Sequence, residues 1–138
     1  MSNYLSINLE AHFHFIGVLL MLLATIHLIF PYYFRWKEDL AQISLINRQV
    51  MYVHTFFLAL TVFGIGMICY LRADDLLNTQ LGKTLCFGFA IFWTIRFFIQ
   101  FFGYSSKLWK GKKFETIVHI LFSILWTYLC VIFWLAAF

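Results

Sequence analysis

Four ionisable side chains, each on a different apolar segment, are the residues of this chain best suited to chemistry. They are His27, His54, Arg96 and His119. Imidazole nitrogens bind transition metals and haem iron, and a guanidinium forms paired hydrogen bonds with carboxylates. Ionisable groups inside membrane-spanning segments are rare and usually turn toward partners or a cavity. If the four segments cross one membrane, these side chains predict one shared polar site.

The composition indicates that the segments do cross a membrane. Of the 138 residues, 63% are hydrophobic and only 12% are charged, and the mean hydropathy is +0.85. A soluble domain of this size cannot hide so much apolar surface. A spanning helix takes roughly 20 mostly apolar residues, and the chain has four such stretches, at about 11–34, 51–71, 81–103 and 116–137. The sequence therefore predicts an all-α integral membrane protein, a single domain 1–138 that forms an antiparallel bundle of four transmembrane helices.

Basic residues are distributed unequally among the three connections. The first and third connections carry seven lysines and arginines, whereas the second has only Arg72 and Lys83 beside it. Short loops rich in lysine and arginine stay in the cytoplasm. Both termini are therefore predicted on the non-cytoplasmic side, in a bacterial-type plasma membrane. The basic run Lys107–Lys113 is short and lies next to the lipid, so we expect it to meet anionic head groups and no nucleic acid.

In this threading the four ionisable residues lie at nearly the same membrane depth. His27 and Arg96 come about seven residues before their segments end, and His54 and His119 come about four residues after theirs begin. At about 1.5 Å of rise per residue, all four lie roughly 6 to 10 Å below the cytoplasmic boundary. The site is therefore expected in the cytoplasmic half of the bundle.

Helical spacing groups these residues with further polar side chains. Residues three, four or seven apart share a helix face. One polar stripe consists of Trp93, Arg96, Gln100 and Gly103, and another of Glu115, His119, Ser123 and Trp126. His54 aligns with Leu58 and Thr61, and His27 lies on an apolar face with Ile16, Leu20 and Leu23. Tyr104 and Trp109 are assigned to the interfacial aromatic belt, and Gly64, Gly66 and Gly88 are expected to let helices approach closely.

The leading hypothesis for the site is a b-type haem. Two histidines from facing helices can bind the iron axially, and an arginine near the boundary can pair with the propionates. The third histidine would then be a proton or quinone contact, with Arg96 and Gln100 as further hydrogen-bond donors. The predicted cofactor-binding residues are His27, His54, His119, Arg96 and Gln100.

Three other assignments stay open on the sequence alone. Three neutral imidazoles could hold non-haem iron, copper or zinc, with Glu115 as a further ligand or an orienting group; the metal ligands would be His27, His54, His119 and Glu115. The same residues could form a proton or ion path, because histidine titrates near neutral pH. Each residue taken singly also fits a structural hydrogen bond to a neighbouring helix.

These patterns predict a membrane-embedded redox protein that binds haem or another metal and exchanges electrons with a quinone. If it is an enzyme, it is a membrane oxidoreductase. One alternative is a noncatalytic subunit that packs against other membrane subunits, and another is a channel formed by several copies of the chain. The sequence has no glycine-rich phosphate loop and no GxSxG, HExxH or CxxC signature, so no catalytic residue is assigned.

Overall fold

The structure is a computed structural model that describes the backbone of residues 2–138 and the side chains of residues 9–138. Within this part of the chain all regular structure is helical. The helices are α1 (Ser2–Tyr33), α2 (Trp36–Asp39), α3 (Leu45–Leu71), α4 (Ala73–Asn78), α5 (Gln80–Phe102) and α6 (Lys113–Ala137). Short 3-10 turns follow α2 at Leu40–Gln42 and precede α6 at Ser106–Leu108. The all-helical prediction is confirmed.

Four of the helices are long and apolar enough to cross a membrane. Their candidate spans are Leu9–Tyr33, Leu45–Leu71, Gln80–Phe102 and Lys113–Ala137. Each has between 23 and 27 residues, and at about 1.5 Å per residue even the shortest exceeds the ~30 Å hydrocarbon core. The second span begins earlier than the apolar content predicts, because α3 starts directly after Ser44 and includes the polar residues Asn47, Arg48 and Gln49.

The chain divides into two compact units, one of residues Ala11–Ala73 and the other of Met1–Glu10 with Asp74–Phe138. In the first unit, α1 and α3 are antiparallel, because His14 contacts Tyr70 and Gly17 faces Gly66. A β-carbon on Gly17 would lie 2.7 Å from the carbonyl oxygen of Gly66, and one on Gly66 would lie 2.8 Å from that of Gly17. The two helices therefore meet backbone to backbone, which only glycine allows.

This contact corrects part of the glycine prediction. Gly66 does lie at a close helix contact, and its partner Gly17 was not singled out from the sequence. No described atom lies within 4 Å of a β-carbon built on Gly64 or Gly88. A glycine marks a possible close approach, but only the helix crossing decides which glycines have a neighbour.

In the second unit, α5 and α6 pack along each other. Three contacting pairs join them: Phe89 with Phe133, Trp93 with Trp126, and Gln100 with His119. As the residue number rises along α5, the number of the partner on α6 falls. The pair is therefore antiparallel. Its buried faces recur at the three- and four-residue spacing of a helix, and they consist of Gly82, Cys86, Ala90, Trp93 and Gln100 on α5 and of Trp126, Leu129, Ile132, Phe133 and Ala136 on α6. This packing brings the two predicted polar stripes face to face.

Candidate functional site

Gln100 is the centre of a polar network between α5 and α6, and it is the one buried polar side chain among residues 9–138, with 6% of its surface exposed. Its Oε1 accepts hydrogen bonds from Arg96 Nη1 at 3.3 Å and from Trp126 Nε1 at 3.2 Å. Its Nε2 lies 2.8 Å from His119 Nδ1. Three of the predicted cofactor-binding residues, Arg96, Gln100 and His119, are thus joined by direct contacts.

Arg96 and Trp126 determine, through Gln100, which ring nitrogen of His119 carries the proton. Arginine and tryptophan can only donate, so the oxygen of the Gln100 amide must face them and its nitrogen must face His119. That nitrogen donates, and therefore Nδ1 of His119 accepts and carries no proton. In the neutral ring the proton is on Nε2. His119 consequently offers a hydrogen-bond donor, rather than a lone pair, at its outer nitrogen.

Aromatic rings enclose His119 on two sides. The Trp109 ring stacks on the imidazole with centroids 4.0 Å apart and planes 9° apart, and Phe101 approaches it edge-on at 5.9 Å. The hydroxyl of Thr116 lies within hydrogen-bond distance of two carbonyl oxygens of the connection, that of Trp109 at 2.8 Å and that of Lys112 at 2.7 Å, and can donate its one proton to either. Gly111, with a φ of 83°, allows the chain to turn back toward α6.

Arg96 is a half-buried cation without a carboxylate partner among the described residues. Its guanidinium lies 4.6 Å from the centroid of the Trp126 ring and 5.7 Å from that of Tyr104. Both distances are within the range of cation–π attraction. Its one hydrogen bond within the described part of the chain is the long one to Gln100, so most of its five N–H groups have no acceptor among the described residues.

The network continues to Trp93. This ring stacks on Trp126 at 5.3 Å and is 2% exposed. Its Nε1 is the one fully buried side-chain nitrogen or oxygen that has no hydrogen-bond partner in the described residues. Trp93, Arg96 and Gln100 were predicted to share one face of α5, and in the structure all three point toward α6.

Trp109 and Tyr104 are the site residues that sequence reasoning missed. Both were assigned to a general interfacial belt, but the structure places Trp109 on His119 and Tyr104 beside Arg96. They lie in an irregular connection, where helical spacing makes no prediction. Gly111 is the one local signal, because a glycine in a short connection permits the positive φ that turns the chain back.

His27 and His54 belong to the other compact unit, and each bonds to its own helix. Nδ1 of His27 donates to the Leu23 carbonyl at 2.8 Å, and Nδ1 of His54 donates to the Val50 carbonyl at 2.9 Å. A carbonyl only accepts, so both rings carry their proton on Nδ1 and present a lone pair at Nε2. This is the opposite tautomer to that of His119.

The two histidines differ in exposure. His27 is half-buried and continues the apolar stripe of α1, in which Ile16 and Leu20 are fully buried. His54 is exposed, as are Leu58 and Thr61, which share its face of α3. The register in which Gly17 faces Gly66 places His27 level with Phe56, so the two histidines lie within one helical turn of each other along the α1–α3 pair.

Glu115, the fourth predicted metal ligand, lies exposed in the first turn of α6. It has no hydrogen bond or ion pair within the described residues. No three histidine, cysteine, aspartate or glutamate side chains of residues 9–138 are grouped as metal ligands would be. The assignment of His27, His54, His119 and Glu115 to one metal stays a prediction without geometric support.

The α5–α6 end therefore has N–H donors without a partner among the described residues, and the Arg96 cation, beside flat aromatic rings. Such a site suits a planar ligand with hydrogen-bond-accepting oxygens. No protein-family model, no curated protein and no solved structure matches the chain. The functional proposals accordingly rest on these contacts.

Proposed function

We propose that this chain is a multi-pass redox protein of a bacterial-type plasma membrane that binds a lipid-soluble quinone. The four long helices form a bundle with both termini on the non-cytoplasmic side, an orientation supported by the basic first and third connections. The quinone head group lies in the cytoplasmic half, at the end of the α5–α6 pair. Arg96, Gln100 and His119 are the residues that recognise it.

The main support for this proposal is a group of N–H donors at the site that have no acceptor among the described residues. Nε2–H of His119 and most N–H groups of Arg96 have no partner within the described residues. The carbonyl oxygens of a quinone only accept hydrogen bonds, and negative charge develops on them during reduction. Donors and a cation already in position stabilise that charge. The Trp109 and Phe101 rings beside His119 supply apolar surface for the flat ring of the ligand.

Quinone titration of the detergent-purified protein tests the proposal, with quenching of tryptophan fluorescence as the signal, because Trp109 and Trp126 adjoin the site. Arg96→Gln removes the cation, and Lys83→Gln on the same helix is the matched control, since Lys83 is exposed at the far end of α5. We expect Arg96→Gln to weaken binding about tenfold or more, the effect of losing a hydrogen bond from a charged donor. Lys83→Gln should leave it unchanged.

A second pair of variants examines the imidazole. His119→Phe keeps a ring that can stack on Trp109 but removes the N–H donor. His14→Phe is its control, because His14 is exposed on α1 and its ring contacts Tyr70 of α3. Loss of one neutral hydrogen bond should weaken binding about fivefold in His119→Phe only. Absence of saturable quenching in the native protein, or equal affinities in all four variants, would contradict quinone binding at this site.

We propose as a second function that His27 and His54 bind a b-type haem axially. Both rings are in the tautomer that haem ligands adopt, with Nδ1–H bonded to a backbone carbonyl and Nε2 open. Both also lie at nearly the same level of the α1–α3 pair. Haem added to the purified protein should give a Soret band and reducible α and β bands that His27→Gln and His54→Gln each abolish.

The exposed His14 serves as the control, so His14→Gln should keep the haem spectrum. Binding that survives both ligand variants would contradict the assignment. Elemental analysis of the same preparation distinguishes non-haem iron, copper or zinc. A protein that takes up neither quinone, haem nor metal would favour the noncatalytic subunit or the proton path.

A further inference from the structure

A shallow, open groove of about 590 Å³ includes His119 and follows the surface of α6. His119 lies at one end and Tyr128 at the other, and Ser123 and Thr127 lie between them. Phe101 of α5 forms part of the wall near His119. The volume is within the range of small-molecule binding sites, roughly 300–1,000 Å³. His119 belongs to both the groove and the polar network, so the groove meets the proposed quinone site at this residue.

Between His119 and Tyr128 the groove offers no free hydroxyl donor, although Ser123 and Thr127 line it. The Ser123 hydroxyl donates to the His119 carbonyl at 2.8 Å, and the Thr127 hydroxyl donates to the Ser123 carbonyl at 2.8 Å. Both protons are thereby used within α6. Ile120 and Ile124 supply the remaining wall. A hydrocarbon chain can lie along this surface without removing water or a hydrogen bond from any polar group.

The groove also has the direction that a membrane ligand requires. His119 and Tyr128 are nine residues apart on one helix, which corresponds to about 14 Å. That is roughly half of the ~30 Å hydrocarbon core. A ligand whose head group contacts His119 would extend its tail from the polar network toward the middle of the bilayer.

We propose that this groove binds the prenyl tail of the quinone, so that the ligand class is a long-chain membrane quinone. This inference rests on the proposed quinone function. Lipid tails are as apolar as the groove, so the tail gains little from leaving the bilayer and its contribution comes from van der Waals packing. The groove therefore selects for a tail and aligns the ligand, while the head group supplies most of the affinity.

The test compares one quinone head group with and without its prenyl tail. Thr127→Trp fills the groove eight residues from His119, and Leu121→Trp adds the same ring at an exposed position of α6 outside the groove. We expect Thr127→Trp to weaken binding of the tailed quinone about fivefold and to leave the tail-less head group unaffected. Leu121→Trp should change neither. Unchanged affinity of the tailed quinone in Thr127→Trp would overturn the inference.

The two proposals fail in different ways. If the native protein binds neither form, quinone binding itself is wrong; if it binds both equally, only the tail site is wrong. Equal weakening of both forms by Thr127→Trp would mean that the variant disturbs the head-group site, and it too would overturn the tail assignment. Retained binding of the tail-less form shows that each variant is folded.

A labelling experiment gives an independent readout on the native chain. A quinone with a photoreactive diazirine in its tail should label the segment 120–128 of α6 above all other segments, as mapped by mass spectrometry. A phospholipid with the diazirine in one acyl chain should label that segment no more than the other lipid-exposed segments. Equal labelling by the two probes would overturn the assignment, because the groove would then be a general lipid contact.

Discussion

Replacing Gln100 by glutamate would move the proton of His119 from one ring nitrogen to the other. In the native chain the amide nitrogen of Gln100 donates to Nδ1 of His119 at 2.8 Å. Glutamate has the same length, but both of its oxygens accept. One oxygen still receives the bonds from Arg96 and Trp126. With the carboxyl group ionised beside Arg96, the other oxygen faces Nδ1 and accepts a proton from it, so His119 should change to the Nδ1–H form.

The size of this effect follows from the two hydrogen bonds. A bond between neutral groups contributes about 1 kcal/mol, and one to a charged group about 1.5–3 kcal/mol. The amide therefore favours the native Nε2–H form about fivefold, and the carboxylate favours Nδ1–H about 10- to 150-fold. Arg96 already contacts the same oxygen position, so the new negative charge has a positive partner inside the membrane.

Nitrogen NMR of the detergent-solubilised protein, labelled with ¹⁵N at histidine, measures the tautomer directly. The shifts of Nδ1 and Nε2 of His119 should exchange in Gln100→Glu, while those of His27 and His54 should stay at the Nδ1–H pattern. Gln80→Glu makes the same chemical change at the exposed first residue of α5 and should leave all three rings unchanged. His119→Phe assigns the signal.

A proton on Nδ1 of the native His119 would contradict this assignment of the tautomer. So would a spectrum of Gln100→Glu that matches that of Gln80→Glu. Either result means that Gln100 does not control the ring. The proposed quinone site would then lack the N–H donor of His119.

Two further changes test the packing that positions the site. Gly17→Ala would place a β-carbon 2.7 Å from backbone of α3, whereas Gly64→Ala adds one where no described atom lies within 4 Å. We expect Gly17→Ala to lower the free energy of unfolding in detergent by about 1–3 kcal/mol and Gly64→Ala to keep or raise it. Equal effects of the two variants would contradict the helix crossing. Gly111→Ala imposes a side chain on a φ of 83° and should cost about 1–2 kcal/mol. Because it loosens the connection that holds Trp109, its quinone affinity should fall, while Gly88→Ala, in open space, should match the native protein.

The predictable part of the site is the part that lies on regular helices. The spacing of Arg96 and Gln100 on α5, and of His119 and Trp126 on α6, assigned each residue to a face before any partner was known. Because an α-helix repeats every 3.6 residues, side chains at these intervals must point the same way. Packing of α5 against α6 then brings the two faces into contact, as the shared polar site requires.

Helical spacing could not predict the contacts that the connecting segments make, nor the hydrogen-bond partners of the imidazole nitrogens. Trp109 reaches His119 through an irregular segment whose path depends on Gly111 and on a hydrogen bond from Thr116. The three histidines look alike in sequence, yet the partner of Nδ1 is an amide nitrogen for His119 and a backbone carbonyl for His27 and His54. Such differences come from atoms a few ångströms away on other residues.

The helical class, the four membrane-length segments and the polar faces of α5 and α6 follow from the amino-acid sequence alone. These depend on composition and on local periodicity, which are properties of each segment alone. The packing of the helices settled which faces meet, which glycines lie at a helix crossing, and which nitrogen of His119 carries the proton. Those outcomes depend on distances between residues far apart in the chain, and a hydrogen bond or a steric contact changes over fractions of an ångström.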